Sequence, residues 1–220
     1  MALELDLYAG YPEPKEPRIV GPELRTIHNR IAASYRAKEF YDGDRINGYG
    51  GMKDDGRWVP IAANIIRTYE LKPNSLVLQV GAHKGFLVKA LQDQGMKAMG
   101  SEPSHYARSQ SPVWLRNAPF TRLPFQDREF DLVIGASCVY TLNLPDAIKC
   151  LKEIQRVGRG HAWVTLAAAE TPEEVMMLRY WFLLGTTILK REEWIAVMQH
   201  AGYVGDWRFD TVQSLNLRLA

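Results

Sequence analysis

The sequence predicts an open, mostly parallel α/β sheet with helices on both faces. Beyond residue 75, three short apolar runs, SLVLQV, FDLVIGA and HAWVTLAAA, alternate with stretches that have a helical hydrophobic period. The runs are rich in Leu and in β-branched residues and lack polar alternation, which is typical of strands buried on both faces. Buried strands that alternate with helices form open sheets covered on each side by helices.

The composition is that of an ordinary globular protein. The 220 residues suffice for one sizeable core, and 46% hydrophobic with 24% charged residues exclude a disordered chain. The balance of 27 basic and 25 acidic side chains argues against a nucleic-acid-coating protein. Cys138 and Cys150 offer no disulfide framework, which predicts reduced thiols and a cytoplasmic location. We expect no signal peptide and no membrane-spanning segment, because no apolar run is long enough.

Residues 1–57 predict an extension that precedes the core. Four prolines between residues 10 and 22 favour an extended chain. The run PELRTIHNRIAASYRAKEF then predicts a helix with Leu24, Ile27 and Ile31 on one face. Residues 41–57 contain five glycines and four aspartates without any hydrophobic period. Connections of this length are usually functional or disordered, so we predict a lid that is mobile without ligand and has little apolar surface to bury.

The first half of the core contains three predicted strands, and a helix follows each of the first two. WVPIAANIIRTYE predicts a helix with Pro60 in its first turn, where proline is tolerated. The strand SLVLQV is followed by a helix over 85–94, which Gly95 ends. The strand KAMGS, a short helix near 103–109 and a strand near APFTR complete this half.

The second half repeats the alternation and adds one helix. The strands FDLVIGA and HAWVTLAAA enclose the helix PDAIKCLKEIQRVG. An inserted helix at about 172–184 has a start that resembles a capping box, TPEE, and KREEWIAVMQHAG predicts a further helix ended by Gly202. The C-terminal runs YVGDWRFD and VQSLNLRL alternate as antiparallel strands do.

The loop VGAHKG after the first predicted strand indicates a ligand site. The dinucleotide pattern fails because His83 and Phe86 stand where glycines are required, and no Gly-Lys-Ser/Thr ending is present. What remains is Gly81 and Gly85, with Glu102 just after the second strand. A carboxylate in that place can accept both hydroxyls of a ribose. Exposed loop N–H groups can bind an amino-acid carboxylate. The pattern therefore favours S-adenosylmethionine, although a simple tight turn is the alternative.

Four segments resemble motifs of the class I S-adenosylmethionine-dependent methyltransferases. They are VLQVGAHKG, MGSEPS, LPFQDREFDLVIGASCVYTL and LKEIQRVGRGHAWVTL, in the family's order. The resemblance implies a Rossmann-like sheet of seven strands, the last antiparallel, in a core over 58–220 that forms one structural domain with the extension. The preceding EFYDGDRINGYGGMKDDGRW is similar to a prefix in some bacterial small-molecule methyltransferases.

The sequence departs from the family motif at two positions. Gln79 replaces the usual acid and accepts a hydrogen bond without charge, and His83 replaces the usual middle glycine. His83 constrains the loop because only glycine adopts positive φ freely. The residues that the resemblance implies for cofactor binding are Gln79, Gly81, Ala82, His83, Gly85, Glu102, Pro103, Phe120 and Ser137.

Other side chains are candidates for the acceptor site and for catalysis. An aromatic wall can attract a sulfonium cation, which suggests the lid and substrate residues Tyr41, Tyr49, Arg57, Trp58 and Trp181. The candidates for a catalytic base, which the sequence does not rank, are Asp42, Asp44, His105 and Tyr140. The sequence shows no metal-ligand spacing, so we expect metal-free chemistry.

These observations predict methyl transfer to an oxygen or nitrogen atom of a small-molecule acceptor, in a biosynthetic setting. Positioning in line with the sulfonium would supply most of the acceleration. Two alternatives stay open. One is an inactive methyltransferase-like subunit that scaffolds or activates a partner, and the other is an enzyme that uses the cofactor pocket for different chemistry. We expect no nucleic-acid or membrane partner, and both a homodimer and a partner subunit stay open.

Overall fold

The computed structural model describes residues 2–12 and 14–220. Its strands in chain order are β1 (Arg18–Val20), β2 (Leu76–Val80), β3 (Lys97–Ser101), β4 (Leu115–Arg116), β5 (Phe130–Gly135), β6 (Gly158–Ala167), β7 (Asp206–Asp210) and β8 (Leu217–Leu219). Six of them form the main sheet in the order β4-β3-β2-β5-β6-β7, and every neighbouring pair is parallel. The predicted α/β class with buried parallel strands is confirmed.

The helices of the core lie where the hydrophobic periods predict them, whereas those of the extension differ. They are α1 (Ile27–Ser34), α2 (Lys38–Asp42), α3 (Trp58–Thr68), α4 (Phe86–Asp93), α5 (His105–Ser109), α6 (Leu144–Val157), α7 (Pro172–Trp181) and α8 (Arg191–Ala201). Side chains cap the starts of α5, α6 and α7, since Ser104 accepts from the Ala107 N–H, Asn143 from the Asp146 N–H and Thr171 from the Glu174 N–H. Gly202 ends α8 with a left-handed φ of 68°. Within the described ranges, no helix combines the length and hydrophobicity needed to cross a membrane.

Two apolar layers enclose the sheet. On one face, α6 and α8 bury Leu151 and Trp194 against β5 and β6. On the other, α3 and α4 bury Ile61 and Leu91 against β2 and its neighbours. Helices therefore cover both faces, and the central strands are removed from water on each side, which explains their continuous apolar runs.

The predicted seven-stranded sheet with an antiparallel last strand is wrong. β7 pairs in parallel with β6, in the register Trp163 to Asp206. Leu189 bridges to Ala168 just beyond the carboxyl end of β6, so α8 begins there and carries the chain back to the amino end of the sheet. A strand that follows such a crossover runs parallel to its predecessor. The run predicted as the final strand forms β8 instead, which pairs with β1 in a separate two-stranded sheet.

The extension covers the free edge of the main sheet and packs on its helices. Glu4 forms a parallel bridge with Trp207 of β7, and the Leu5 N–H donates to the Trp207 carbonyl at 2.7 Å. Leu7 is 1% exposed and joins the apolar layer of Ile61. These contacts protect β7 from pairing with another chain.

Two local predictions need correction. The single helix predicted over the extension is two helices, broken at Arg36, which has a φ of 46°, and its predicted apolar face is exposed, with Ile27 63% accessible. The packed side of α1 is that of Ala33 instead. The strand predicted near 118–122 is absent from the described residues, and the two residues of β4 take its place at the sheet edge.

Candidate functional site

The loop after β2 turns tightly against its neighbours. Gly81 has a φ of 71°, and a Cβ there would lie 2.9 Å from the Cys138 Cβ. Gly85 has a φ of 75°, and a Cβ would lie 2.7 Å from the Ser111 Oγ. Both the left-handed backbone and the close approach therefore require glycine. The packing of the turn is enough to explain why glycine is required at both positions, as the tight-turn alternative expects. The turn also brings the loop backbone to the carboxyl ends of the strands.

Gln79 carries an orphaned acceptor at the end of β2. The side chain is 4% exposed, and its Oε1 has no hydrogen-bond partner among the described residues. A buried acceptor without a partner costs free energy, so such a group fits a ligand that donates a hydrogen bond. The residue lines the large cavity described below. Although Gln79 stands where the family motif has an acid, its Oε1 can thus still accept a hydrogen bond from an ammonium group.

Glu102 follows β3 and is fully buried. Its carboxylate accepts the His83 N–H on Oε2 and the Ser104 N–H on Oε1, each at 2.9 Å. Burial raises the pKa of this carboxyl above its usual value, although the two N–H donors pull the pKa in the opposite direction. Each oxygen still has acceptor capacity for one further donor. The extension passes close by, because the Ser104 hydroxyl donates to the Arg36 carbonyl.

His83 lies between two tyrosines of the extension. Its Nδ1 is 3.5 Å from the Tyr41 hydroxyl, and its Nε2 is 3.4 Å from the Tyr49 hydroxyl. Burial, with a smaller effect from Arg36, lowers the pKa of His83 to about 3, so the ring is neutral at pH 7. Its φ of 52° is one that glycine adopts without strain. The imidazole therefore joins the loop to the extension at the cost of backbone strain.

An ion pair holds the extension to the same loop. The Lys84 Nζ lies 2.6 Å from both Asp42 oxygens and donates to the Met52 carbonyl at 2.9 Å. The Tyr106 hydroxyl donates to Asp42 at 2.7 Å. Burial pushes the pKa of Asp42 upward, but the hydrogen bonds from Lys84 and Tyr106 outweigh it and lower the pKa. Asp42, a predicted base, is therefore occupied as an anchor.

The expectation that residues 41–57 bury little apolar surface is wrong. Tyr41 is fully buried, and it belongs to an apolar cluster with Phe40 and Leu183 that Tyr49 and Met52 extend. The segment carries a short 3-10 helix at Arg45–Asn47. The mobility of residues 41–57 stays a prediction. If the segment opens, its packed side chains must move together.

A cavity of about 1000 Å³ extends from this loop to the extension, α7 and the end of β7. Of the predicted cofactor residues, Gln79, Ala82, His83 and Ser137 line it, whereas Gly81, Gly85, Glu102, Pro103 and Phe120 lie outside its lining. Of the predicted lid residues, Tyr49, Arg57, Trp58 and Trp181 line it, and Tyr41 does not. Among the predicted bases only Tyr140 faces the cavity, whereas Asp42, Asp44 and His105 do not.

Phe120 lies beside the loop, under a cation from the extension. Its ring would be 3.5 Å from a Cβ at Gly81, and the Arg36 guanidinium lies 5.6 Å from its centroid. Arg36 also donates to the Thr141 hydroxyl at 3.1 Å. Arg36 and Phe120 therefore form a cation–π pair at the edge of the predicted cofactor site.

Asp210 is a site residue that the sequence analysis missed. It ends β7, is 5% exposed, lines the cavity and pairs with Arg208. Burial raises its pKa to about 6, although Arg208 pulls the pKa down. The available signal was an acid at the carboxyl end of the run DWRFD, where ligands bind in open α/β sheets.

Tyr140 faces the same part of the cavity. Burial and the charge of Asp210 raise the pKa of its hydroxyl well above the usual value, so it stays protonated and can donate a hydrogen bond. Its ring packs on Phe182 with centroids 4.7 Å apart. Across residues 2–12 and 14–220, no three His, Cys, Asp or Glu side chains group closely enough to hold a metal ion.

Comparisons with known proteins agree with the motifs. Residues 78–166 match the family described as Methyltransferase domain. A Bacillus halodurans protein assigned as a methyltransferase is 18% identical, with a TM-score of 0.55 over 64% of this chain and 68% of its own. One from Anabaena variabilis, assigned to an antibiotic biosynthesis pathway, is 23% identical, with a TM-score of 0.52 over 64% of this chain and 60% of its own.

A third similar structure comes from a complex. It is a Haloferax volcanii protein assigned as a methyltransferase and bound to a methyltransferase activator; it is 19% identical, with a TM-score of 0.51 over 67% of this chain and 73% of its own. The search of curated proteins found no match. At these identities the structural likeness shows the shared fold, and the domain family supplies the cofactor class.

Proposed function

Because this chain belongs by fold and domain family to the class I S-adenosylmethionine-dependent methyltransferases, we propose that it transfers a methyl group to an oxygen or nitrogen atom of a small-molecule acceptor. The observation that carries the proposal is the cavity at the carboxyl ends of the strands. It is lined by Gln79 of β2, whose Oε1 is unpartnered among the described residues, and by Tyr140 and Asp210, which come after β5 and at the end of β7. A cofactor and an acceptor can therefore lie side by side.

The residues around the loop suit the cofactor, which supplies an electrophilic methyl group on a sulfonium. Gln79 would accept a hydrogen bond from the amino-acid ammonium, and the turn at Gly81 and Gly85 would offer backbone N–H groups. Glu102 would accept the ribose hydroxyls with its remaining acceptor capacity. Since Glu102 is fully buried, the chain near Arg36 must shift to admit the ribose. Phe120 would then pack against the adenine in place of the guanidinium.

The acceptor end of the cavity can remove a proton and exclude water. A carboxyl with a pKa of about 6 is mostly ionised at pH 7, so Asp210 can accept the proton that an oxygen or nitrogen nucleophile loses. Tyr140 orients the acceptor as a hydrogen-bond donor. Tyr49, Trp58 and Trp181 line the same cavity, and in this proposal residues 41–57 and α7 are the lid that excludes water. The proposed chemistry is positioning without a metal.

Calorimetry and a product assay test the proposal together. The parent should bind S-adenosylmethionine, and S-adenosylhomocysteine should accumulate when a library of amines, phenols and hydroxy acids is supplied. Gln79→Glu restores the family acid and should tighten cofactor binding, whereas Gln79→Leu removes the acceptor and should weaken it. No binding at millimolar cofactor would support the scaffold alternative. Binding with turnover of the cofactor but no S-adenosylhomocysteine would support different chemistry.

The remaining expectations on assembly and location belong to the same proposal. The Haloferax volcanii relative is bound to an activator, which motivates a search for a partner subunit here. A cytoplasmic protein that acts alone, as a homodimer or with such a partner is expected, in small-molecule biosynthesis. Light scattering coupled to size-exclusion chromatography, with purified chain and with cell lysate fractions that restore activity, distinguishes these three.

A further inference from the structure

The cavity is basic, although the whole protein is nearly neutral. Of the lining residues, Asp6, Asp55 and Asp210 are the acidic ones in the described chain, and eight are Lys or Arg. Three of the eight are neutralised, since Arg57 pairs with Asp55, Lys84 with Asp42, and Arg208 with Asp6 and Asp210. The other five are Arg18, Arg25, Arg36, Arg45 and Lys53. None of the five has a carboxylate within 4.0 Å in residues 2–12 and 14–220.

Three of these arginines converge on one indole. The guanidinium carbons of Arg18, Arg25 and Arg45 lie 4.8, 5.0 and 5.1 Å from the ring centroid of Trp181. The aromatic face attracts each cation, but the cations repel one another. Burial, followed by the charge of Arg45, lowers the pKa of Arg25 to about 10 and also lowers that of Arg18. The cluster is therefore short of negative charge.

Backbone contacts place the three side chains without using up their donors. Arg18 donates to the Leu215 carbonyl at 3.3 Å, and Arg45 donates to the Gly48 carbonyl at 2.6 Å. Arg25 bridges the carbonyls of Trp181 and Arg45. A guanidinium has five N–H donors, so each arginine keeps several that no described residue accepts. Carbonyl anchors of this kind orient the planar groups and leave their forks for an oxyanion.

We infer that Arg18, Arg25 and Arg45, arranged around Trp181, bind an oxyanion group of the acceptor, either a carboxylate or a phosphate. The inference rests on the proposed function, because it assigns the substrate class to the acceptor end of that same cavity. Trp181 is followed directly by Phe182, whose ring packs on Tyr140 beside Asp210. An acceptor whose anion lies on the arginines therefore has its other end near the residues that would orient and deprotonate it.

Anion titration of the full chain without cofactor tests the inference. Inorganic phosphate and succinate are the two probes, measured by calorimetry in low-chloride buffer, and the tighter one identifies the oxyanion. The variant is Arg18→Gln with Arg45→Gln, in which Arg25 keeps its place. The matched control is Arg67→Gln, which removes an exposed arginine of α3 outside the cavity. Arg45→Lys, which keeps the charge but loses the fork, is the conservative variant.

The expected result is that the double variant binds the preferred anion about tenfold more weakly or worse, while Arg67→Gln binds like the parent. The anion should also raise the unfolding temperature of the parent and lose that effect in the double variant. Arg45→Lys should fall between the two. Circular dichroism verifies folding, and calorimetry with S-adenosylmethionine should give the parent affinity for every variant.

Two results overturn the inference. One is a parent that binds neither anion at 50 mM concentration, taken as about the weakest useful affinity for such a site. The other is a double variant that binds the anion as the parent does. If the chain binds the anion through these arginines but not the cofactor, the proposed function fails and the anion site stands. If the parent binds the cofactor and transfers methyl groups, but the double variant binds the anion as the parent does, the inference alone fails.

Discussion

The two ends of the cavity are built in different ways. The proposed cofactor end comes from the end of β2 and its loop, where Gln79, Ala82 and His83 line the cavity, and from Glu102, which lies outside the lining just after the neighbouring β3; these residues are close together in the sequence. The acceptor end combines Arg18, Trp181 and Asp210, which come from the extension, α7 and β7. The parallel sheet positions the first set by its own register, whereas the second set depends on contacts between distant segments.

This difference separates the part of the proposed site that family motifs describe, which would bind the cofactor, from the part particular to this chain, which would bind the acceptor. Short motifs describe the cofactor end because strand ends and tight turns are local structures. The acceptor end has no such motif, and its residues are ordinary arginines, aromatics and one acid. Since function resides in the site rather than in the fold, the proposed acceptor end would decide what this methyltransferase domain acts on.

The largest expected effect is at the acceptor end. Asp210→Asn should lower kcat by about 10²–10⁴-fold, the usual contribution of a general base, and leave cofactor affinity unchanged. In the parent, kcat/KM should rise between pH 5 and 7 with an inflection near 6, because the ionised carboxylate is the active form and its pKa is about 6. The variant should lose this inflection.

A control for this prediction lies at the other end of the same strand. Asp206 begins β7 and accepts hydrogen bonds from Tyr69 and Leu3, away from the large cavity. Asp206→Asn should keep the rate and the pH profile of the parent. If Asp210→Asn retains full activity and the same inflection, the base belongs elsewhere and the acceptor end acts by positioning alone.

The next effect concerns the cofactor end. Gly81→Ala introduces a Cβ 2.9 Å from the Cys138 Cβ at a φ of 71°. Gly56→Ala is the matched control, because Gly56 has a φ of 80° with nothing within 4 Å. Each should lose about 1–2 kcal/mol of unfolding free energy from the left-handed backbone. Gly81→Ala should lose about 1–3 kcal/mol more from overpacking, and it should bind the cofactor poorly. Urea unfolding and calorimetry measure both; equal losses in the two variants would contradict a close-packed loop.

Glu102→Gln tests the ribose acid without changing its shape. Losing the charge should cost about 1.5–3 kcal/mol of cofactor affinity, because hydrogen bonds to a charged acceptor are the stronger kind. Glu129→Gln is the control, since Glu129 also accepts a backbone N–H, from Gln126, but is remote from the cavity. Calorimetry with S-adenosylhomocysteine compares the two. An unchanged affinity in Glu102→Gln would mean that this carboxylate only shapes the turn.

A smaller effect should appear where an ion pair anchors the extension to the loop after β2. Asp42→Asn removes the ion pair with Lys84, whose side chain is 7% exposed, and should lower the free energy of opening residues 41–57 by about 1–3 kcal/mol. Hydrogen exchange should then be faster in this segment and unchanged in β2. Asp54→Asn, which removes the charge from an exposed acceptor of the Gly56 N–H, should leave exchange as it is. Cofactor should restore part of the protection, and a segment that exchanges fast in every state would be a solvated linker.

The smallest effect is expected at His83. His83→Gly relieves a φ of 52° but removes the ring between Tyr41 and Tyr49, so the net change in stability should be within about 1 kcal/mol at pH 7.5. A histidine with a folded pKa of about 3 stabilises the neutral-pH fold and loses that contribution as pH falls below 6.5. The variant should therefore lose less stability than the parent between pH 7.5 and 5, as urea midpoints would show. A steeper pH dependence in the variant would contradict a buried neutral ring.

The sequence by itself determined the α/β class, the central strands β2, β3, β5 and β6 in chain order, and the glycine turn after β2. Each of these depends on neighbours in the chain. The run SLVLQV predicts a buried strand, Gly95 and Gly202 end helices through their own left-handed φ, and the loop motif requires only residues within a single turn. Gln79 was predicted for the same reason, because its position follows from the end of its strand.

Only the tertiary structure decided the rest. The direction of β7 depends on where α8 returns the chain, and alternation alone cannot distinguish a parallel from an antiparallel edge strand. The exposed face of α1 and the burial of Tyr41 depend on which surface the extension meets. The arginines around Trp181 and the raised pKa of Asp210 arise from burial and from charges many residues apart, and no local pattern in the sequence carries that information.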